Sequence, residues 1–231
     1  MNVSVKLLKR SPLLAGLSEE ELKEIIAIAS LNQFEKREIL FSDCEEANGF
    51  YIVLSGKVKL YKVSPEGKEQ IVHVISAPDA FGEASLFLKG SHPFYAETLS
   101  DCQLLFFPKK DFLQLIKKNS RLSANMTMTL SHYVKRFASL IEDLSLKEVP
   151  SRVAKYLLDL SLKQSKEAKS PEEIELDLSR YQLASRLGTI RETLSKTLAK
   201  MKGKGIIDVK KNSITILNRE ALEILASGVK L

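Results

Sequence analysis

The sequence predicts an α+β chain: an N-terminal β-roll of the jelly-roll type, one long helix, and a C-terminal winged helix-turn-helix. Three observations carry this. From about 31 to 108 the apolar residues come in short runs divided by turn signals. From 109 to 147 their period becomes helical. Beyond Pro150, small residues, a glycine and a basic hairpin take the spacing of two crossed helices and a wing. The boundaries fall at 1–118, 119–147 and 148–231. With 231 residues, 44% hydrophobic and 28% charged, the chain has the composition of folded domains.

The elements follow in order. Residues 13–30 (LLAGLSEEELKEIIAIAS) read as a short helix. Ser18 with Glu21 three residues later forms a capping-box pattern, and Leu22, Ile25, Ile26 and Ala29 make one stripe. Strands are expected at Phe50–Leu54, Val58–Val63, Ile71–Ile75 and Leu104–Phe107, punctuated at Ser55-Gly56, Pro65-Glu66-Gly67 and Pro78-Asp79. Several such short strands suggest an antiparallel roll or small barrel. Met126, Leu130, Tyr133, Phe137, Leu140 and Leu144 then recur at steps of 4, 3, 4, 3 and 4. That is a heptad seam, suited to a second copy of the chain; packing on the chain's own roll is the other use of such a stripe. Pro150 marks a break, 151–164 a further helix, and the polar stretch Lys163–Glu175 a loop.

Charge concentrates beyond this loop. The net charge is +6; residues 178–212 hold nine Lys/Arg against two Asp/Glu, whereas 1–147 hold 19 against 18. A local basic patch is the footprint of a polyanion-binding surface. Within it, "LASRLGTIRETLSKTLAKM" (183–201) reads as a helix-turn-helix. Leu183 and Leu187 face the core, Ala184 is small where two helices touch, Gly188 makes the turn, and Leu194 and Leu198 anchor the second helix. Starting that helix near Thr189 or Ile190 puts Arg191, Glu192, Ser195 and Lys196 on one outward face near its N-terminus. Arginine suits guanine and glutamate a cytosine amino group, so these four are the base-reading candidates. Arg180, Thr189, Lys200, Lys202 and Lys204 are the phosphate candidates. Thr189 and Glu192 also match a capping box, which would tie Glu192 to its own helix. Ile206–Lys210 and Ser213–Leu217 read as a hairpin, the wing.

On these residues the chain resembles the cAMP receptor protein/FNR family of bacterial transcription regulators over nearly its full length. "GFYIVLSGKVKLYKVSPEGKEQ" (49–70) is similar to the family's cyclic-nucleotide-binding-like β-roll, and "FGEASLF" (81–87) to its phosphate-binding cassette. "LASRLGTIRETLSKTLAKMKGKGII" (183–207) is similar to its winged helix-turn-helix. The resemblance implies a cytoplasmic homodimer that binds a twofold-symmetric site on double-stranded DNA, with RNA polymerase as a further partner and no membrane. It implies no enzyme. Lys196 stands where arginine is usual; it keeps the charge and loses the bidentate fork.

The effector departs from the family pattern. The implied pocket is Gly82, Glu83, Ala84, Ser85, Pro93 and Phe94. In nucleotide-binding members the cassette ends in an arginine, and here that place holds Pro93-Phe94, so a cyclic phosphate lacks its counter-charge. No cysteine precedes Cys44, which excludes the family's iron–sulfur cluster. Residues 82–107 look more like nitric-oxide-responsive members, some of which hold haem; His92 is then the candidate axial ligand. A cyclic-nucleotide-responsive regulator, and a β-roll binding module without DNA function, are the alternatives. A cupin-type metalloenzyme would need clustered ligands, whereas His73, His92 and His132 are scattered. No apolar run approaches the roughly 18 residues of a membrane span, and the N-terminus lacks a signal-peptide pattern.

Overall fold

The computed structural model describes residues 5–88, 91–164 and 172–229. The chain divides into two compact units. One ends at Gly67 and resumes over Val72–Phe137; the other comprises Lys68–Ile71 and the chain from Ala138 onward. Among the described residues, no helix is long and apolar enough to cross a membrane.

The first unit opens with α1 (Val5–Leu8), a 3-10 turn at Pro12–Leu14, and α2 (Glu19–Ala27). The capping box of α2 forms: Ser18 Oγ accepts from the Glu21 N–H, and the Glu21 carboxylate accepts from the Ser18 N–H. The strands follow: β1 (Ser30–Phe34), β2 (Ile39–Phe41), β3 (Gly49–Ser55), β4 (Lys57–Val63), β5 (Glu69–Ser76), β6 (Ala80–Phe81), β7 (Tyr95–Thr98) and β8 (Cys102–Pro108). They make two antiparallel four-stranded sheets, ordered β1-β8-β3-β6 and β2-β7-β4-β5. Phe41, Val53, Val58, Leu60, Ile75, Phe81, Ala96 and Leu104 fill the interior. On the other side of β3 and β8, Phe50, Ile52, Leu105 and Phe107 pack with Leu13, Leu22, Ile25 and Phe112.

This explains why "FYIVL" and "LLFF" read as unbroken apolar runs. Both strands are buried on both faces, so neither shows the alternation of a strand with one wet side. Each large side chain so buried contributes about 1.5–3 kcal/mol. The tight β3–β4 turn needs Gly56, whose φ is +87° and whose missing Cβ would lie 2.3 Å from the Asp101 carbonyl oxygen.

Helix α3 (Lys109–Lys118) leads into α4 (Ser120–Leu146), a 27-residue helix. Its start is tied to the N-terminal segment: Asn125 Nδ2 donates to the carbonyls of Leu13 (3.1 Å) and Ala15 (2.8 Å), and Arg121 donates to Gly16. Here the seam expected from the heptad spacing needs correction. Met126 is 3% exposed inside the apolar cluster, with Leu130 packed against it. The Tyr133 hydroxyl donates to the Ala80 carbonyl, and Phe137 stacks on Tyr133 and meets Phe94. From Met126 to Phe137 this face of α4 is occupied by the chain's own roll; of the remaining two residues of the predicted seam, Leu144 lies beside Gly188 and Leu140 is half-buried.

The second unit contains α5 (Val149–Gln164), β9 (Glu172–Glu175), α6 (Arg180–Arg186), α7 (Arg191–Gly203), β10 (Ile207–Val209), β11 (Ser213–Ile216) and α8 (Arg219–Ala226). Pro150 sits in the first turn of α5, where its missing N–H costs nothing. The strands form a sheet ordered β10-β11-β9. The loop expected over Lys163–Glu175 is therefore shorter. Its two ends belong to α5 and to β9, whose Ile174 pairs with Ile214, and residues 165–171 lie outside the described residues.

Candidate functional site

In the second unit α6 and α7 are the two helices of the helix-turn-helix. Ser179 caps α6 in a reciprocal box with Gln182. Leu183, Ala184 and Leu187 are buried, and Ala184 is 2% exposed where a larger side chain would hold the helices apart. Gly188 follows at φ +62°, and the Thr189 N–H reaches back to the Ala184 carbonyl at 3.0 Å. A Cβ on Gly188 would fall 2.5 Å from Leu144 Cδ2, at the flexible end of that side chain. Gly188→Ala is expected to destabilise this unit by about 1–2 kcal/mol, chiefly through the left-handed backbone. A urea titration that leaves the midpoint unmoved would count against this.

Helix α7 begins at Arg191 with Ile190 as N-cap, and no side-chain hydrogen bond caps it. The Thr189–Glu192 capping box does not form, because the helix starts one residue later than such a box needs. Arg191, Glu192, Ser195 and Lys196 are all exposed, while Leu194, Thr197, Leu198 and Met201 are buried. The four polar residues thus share the outward face of the first turns.

The phosphate candidates divide. Lys200 and Lys204 are exposed and Thr189 is half-buried. Lys202 is held by Asp208 at 2.8 Å, an exposed pair that lowers the Asp208 pKa through its hydrogen bond. Arg180, assigned from the sequence to a phosphate, is turned inward: Nη2 donates to the Lys210 carbonyl at 3.3 Å, and Nη1 is buried. It braces the wing. The hairpin closes with the Lys210 N–H on the Ser213 carbonyl at 3.0 Å. Glu173 of β9 accepts from Lys210 Nζ and Ser213 Oγ, both at 2.8 Å, a third strand contact that the acidic sequence of β9 concealed.

In the first unit the cassette turns at Gly82, φ +84°, into a 3-10 turn at Glu83–Leu86. Glu83 is 0% exposed, and neither of its carboxylate oxygens has a hydrogen-bond partner among the described residues. Burial pushes its pKa up to about 7; the nearby backbone N–H and Tyr133 hydroxyl oppose the rise and the Asp79 carboxylate adds to it. The neighbouring Tyr133 phenol is pushed up as well, by burial and by Glu83. No motif in the sequence announced Tyr133 as part of this site; its place in the heptad hid it.

His92 lies inside the cassette rather than at its surface. It is 4% exposed, stacked on Phe41 at 3.7 Å between centroids, and shares a 3.0 Å hydrogen bond between Nδ1 and Ser85 Oγ. Its backbone joins β2's flank: the His92 N–H donates to Glu45 and its carbonyl accepts from Cys44. Burial lowers its pKa and so favours the neutral ring. A ring committed to Phe41 and Ser85 does not fit an axial haem ligand. For a cyclic phosphate, Pro93-Phe94 itself offers no cation and Phe94 packs on Phe137; Lys62, which lies over the Phe94 ring, is paired with Asp43 at 2.7 Å. Lys89, the one lysine of the cassette, lies outside the described residues.

A β-roll joined to a winged helix-turn-helix, with an outward polar face on the second helix, defines a signal-responsive DNA-binding regulator. Residues 31–119 match the cyclic nucleotide-binding domain, and residues 151–225 the Crp-like helix-turn-helix domain. The chain is 30% identical to the fumarate and nitrate reduction regulatory protein of Salmonella typhimurium, over 93% of this chain and 86% of that one. It is 26% identical to a CRP-like cAMP-activated global transcriptional regulator of Mycobacterium tuberculosis, over 94% and 97%. Its fold is shared with FixK2 from Bradyrhizobium japonicum (TM-score 0.75, 22% identity, 88% and 100% of the two chains). It is shared too with a CooA mutant from Carboxydothermus hydrogenoformans (0.77, 21%, 94% and 99%). The chain belongs to the cAMP receptor protein/FNR family of DNA-binding transcription regulators.

Proposed function

We propose that the protein works in the cytoplasm as a homodimer on a twofold-symmetric DNA site, in contact with RNA polymerase. Arg191, Glu192, Ser195 and Lys196 read base edges in the major groove, and Thr189, Lys200 and Lys204 meet phosphates, with Lys202 shared between Asp208 and DNA. The carrying observation is the outward face of α7: four exposed polar side chains on its first turns, above a buried apolar face.

The dimer uses a different stripe of α4 from the one the apolar spacing suggests. Ala124, Thr127, Ser131, Val134, Ala138, Ile141 and Ser145 step by 3, 4, 3, 4, 3 and 4, and every one is exposed; Val134 is 69% and Ile141 65% exposed. The hydroxyls of Thr127 and Ser131 donate to their own helix, at Ser123 and Thr127 carbonyls, so the stripe presents carbon to a partner. Val134→Asp places a charge in that contact and is expected to raise the dimer dissociation constant about tenfold or more. Sedimentation at micromolar concentration checks it, with Phe137→Leu as the variant that leaves the dimer intact. A gel shift on a selected palindrome should weaken with Val134→Asp.

The signal is read where Glu83, Phe94, Tyr133 and Phe137 meet. The likeness of 82–107 to nitric-oxide-responsive members makes nitric oxide the first signal to test, by a route other than haem on His92. What supports a non-nucleotide signal is the aromatic filling of the cassette beside Pro93-Phe94. Micromolar cAMP that raised DNA affinity would overturn that part of the reading.

A further inference from the structure

Within the DNA-binding unit the helix starts are not alike. Ser179 caps α6 through its hydroxyl, and Asn218 caps α8 by accepting from the Ala221 N–H at 2.9 Å. Helix α7 starts on Ile190, with extended backbone (φ −102°, ψ 158°) and no side-chain cap. A β-branched apolar residue is among the least favourable choices at an N-cap. The fold does not recover that cost by burying the side chain, since Ile190 is 54% exposed. A single exposed isoleucine is ordinary on a protein surface. An exposed one that also forgoes a helix cap, beside Arg191 in the most basic stretch of the chain, breaks a local rule where function rather than folding sets the residue.

The chemistry of the groove says what such a residue meets. Base edges in the major groove offer hydrogen-bond donors and acceptors, and one apolar group, the thymine C5-methyl. We propose that Ile190 reads a thymine methyl, adding an apolar determinant to the four polar ones. The proposal rests on the assignment of α7 as the groove helix.

The test uses the intact protein and a palindromic site obtained by selection from random DNA. Each thymine is replaced in turn, in both half-sites, by deoxyuridine, which removes the methyl and keeps the Watson–Crick and groove hydrogen-bonding atoms. One buried methyl contributes about 0.8 kcal/mol, which converts to about fourfold per half-site and about fifteenfold for both. The wild-type protein should show that loss at one thymine position. Ile190→Ala should bind the thymine and deoxyuridine sites equally. Ile190→Ser should do the same while raising the melting temperature, because it restores a cap; that separates recognition from stability. Indifference of the wild type to every deoxyuridine substitution overturns the proposal, as does a methyl preference that survives in both variants. If the protein selects no DNA sequence at all, or if Arg191→Ala leaves base preference untouched, the groove-helix assignment itself has failed. Arg191-dependent binding without methyl preference removes only the role of Ile190.

Discussion

Glu83→Gln should stabilise the β-roll at pH 8 by about 3 kcal/mol and change little at pH 4.5. The fold holds this carboxyl fully buried without a hydrogen-bond partner among the described residues, and raises its pKa from 4.5 to about 7. At about 1.4 kcal/mol per unit, that shift is the free energy by which the protonated form is favoured in the folded state. The sign is opposite to that of a salt-bridged acid. Below about pH 4.5 the carboxyl is neutral in both folded and unfolded chains, and nothing is lost. As the pH rises to 7 the unfolded chain ionises first, and stability falls; above 7 the full difference is reached. Glutamine is neutral throughout, so urea melts of wild type and variant should coincide in acid and part in mild alkali. The groups facing Glu83 are Asp79, which opposes its ionisation, and Tyr133, whose proton is given to Ala80. A constant gap between the two proteins at every pH would mean that the carboxyl titrates alike in the folded and unfolded chains, so that burial does not shift it.

Arg191→Ala should be the most costly change for DNA recognition. A bidentate arginine–guanine pair contributes about 1–3 kcal/mol of discrimination, and a twofold site uses the residue twice, giving on the order of 2–6 kcal/mol. The signature is positional. Measured against sites carrying each base in turn, the variant should lose preference at one symmetric pair of positions and retain it elsewhere. Lys200→Ala should instead weaken all sequences alike and lower the salt slope by about two, one for each protomer. If Arg191→Ala behaved like Lys200→Ala, Arg191 would be holding a phosphate.

What the sequence disclosed follows physical lines. Strands β3, β4, β5 and β8 were legible because the core requires them to be apolar. Strands β1, β2, β6 and β7 were missed, being short or interrupted by polar residues such as Asn32, Gln33 and Glu97. The helix-turn-helix was legible because Ala184 and Gly188 are forced by backbone approach and a left-handed turn. The heptad on α4 left the partner face open for a simple reason: two stripes share one period. The more apolar stripe, from Met126 to Phe137, covers the roll, and the outer stripe proposed for the dimer is built largely of Ala, Ser and Thr. Orientation of charged side chains was not legible either. Arg180 braces the wing and Lys202 meets Asp208 because of neighbours brought close only by folding.

The composition of that outer stripe bears on how the regulator is dosed. Between Ala124 and Ser145 it offers only Val134 and Ile141 as large apolar groups, both exposed. If the dimer forms through this stripe as proposed, so little apolar area would leave association modest, and monomer and dimer would coexist near the dissociation constant. Below that constant the dimer concentration rises as the square of the total, and each doubling of synthesis gives about a fourfold rise in the DNA-competent species. A promoter under this protein would answer sharply to its copy number, even with no change in signal.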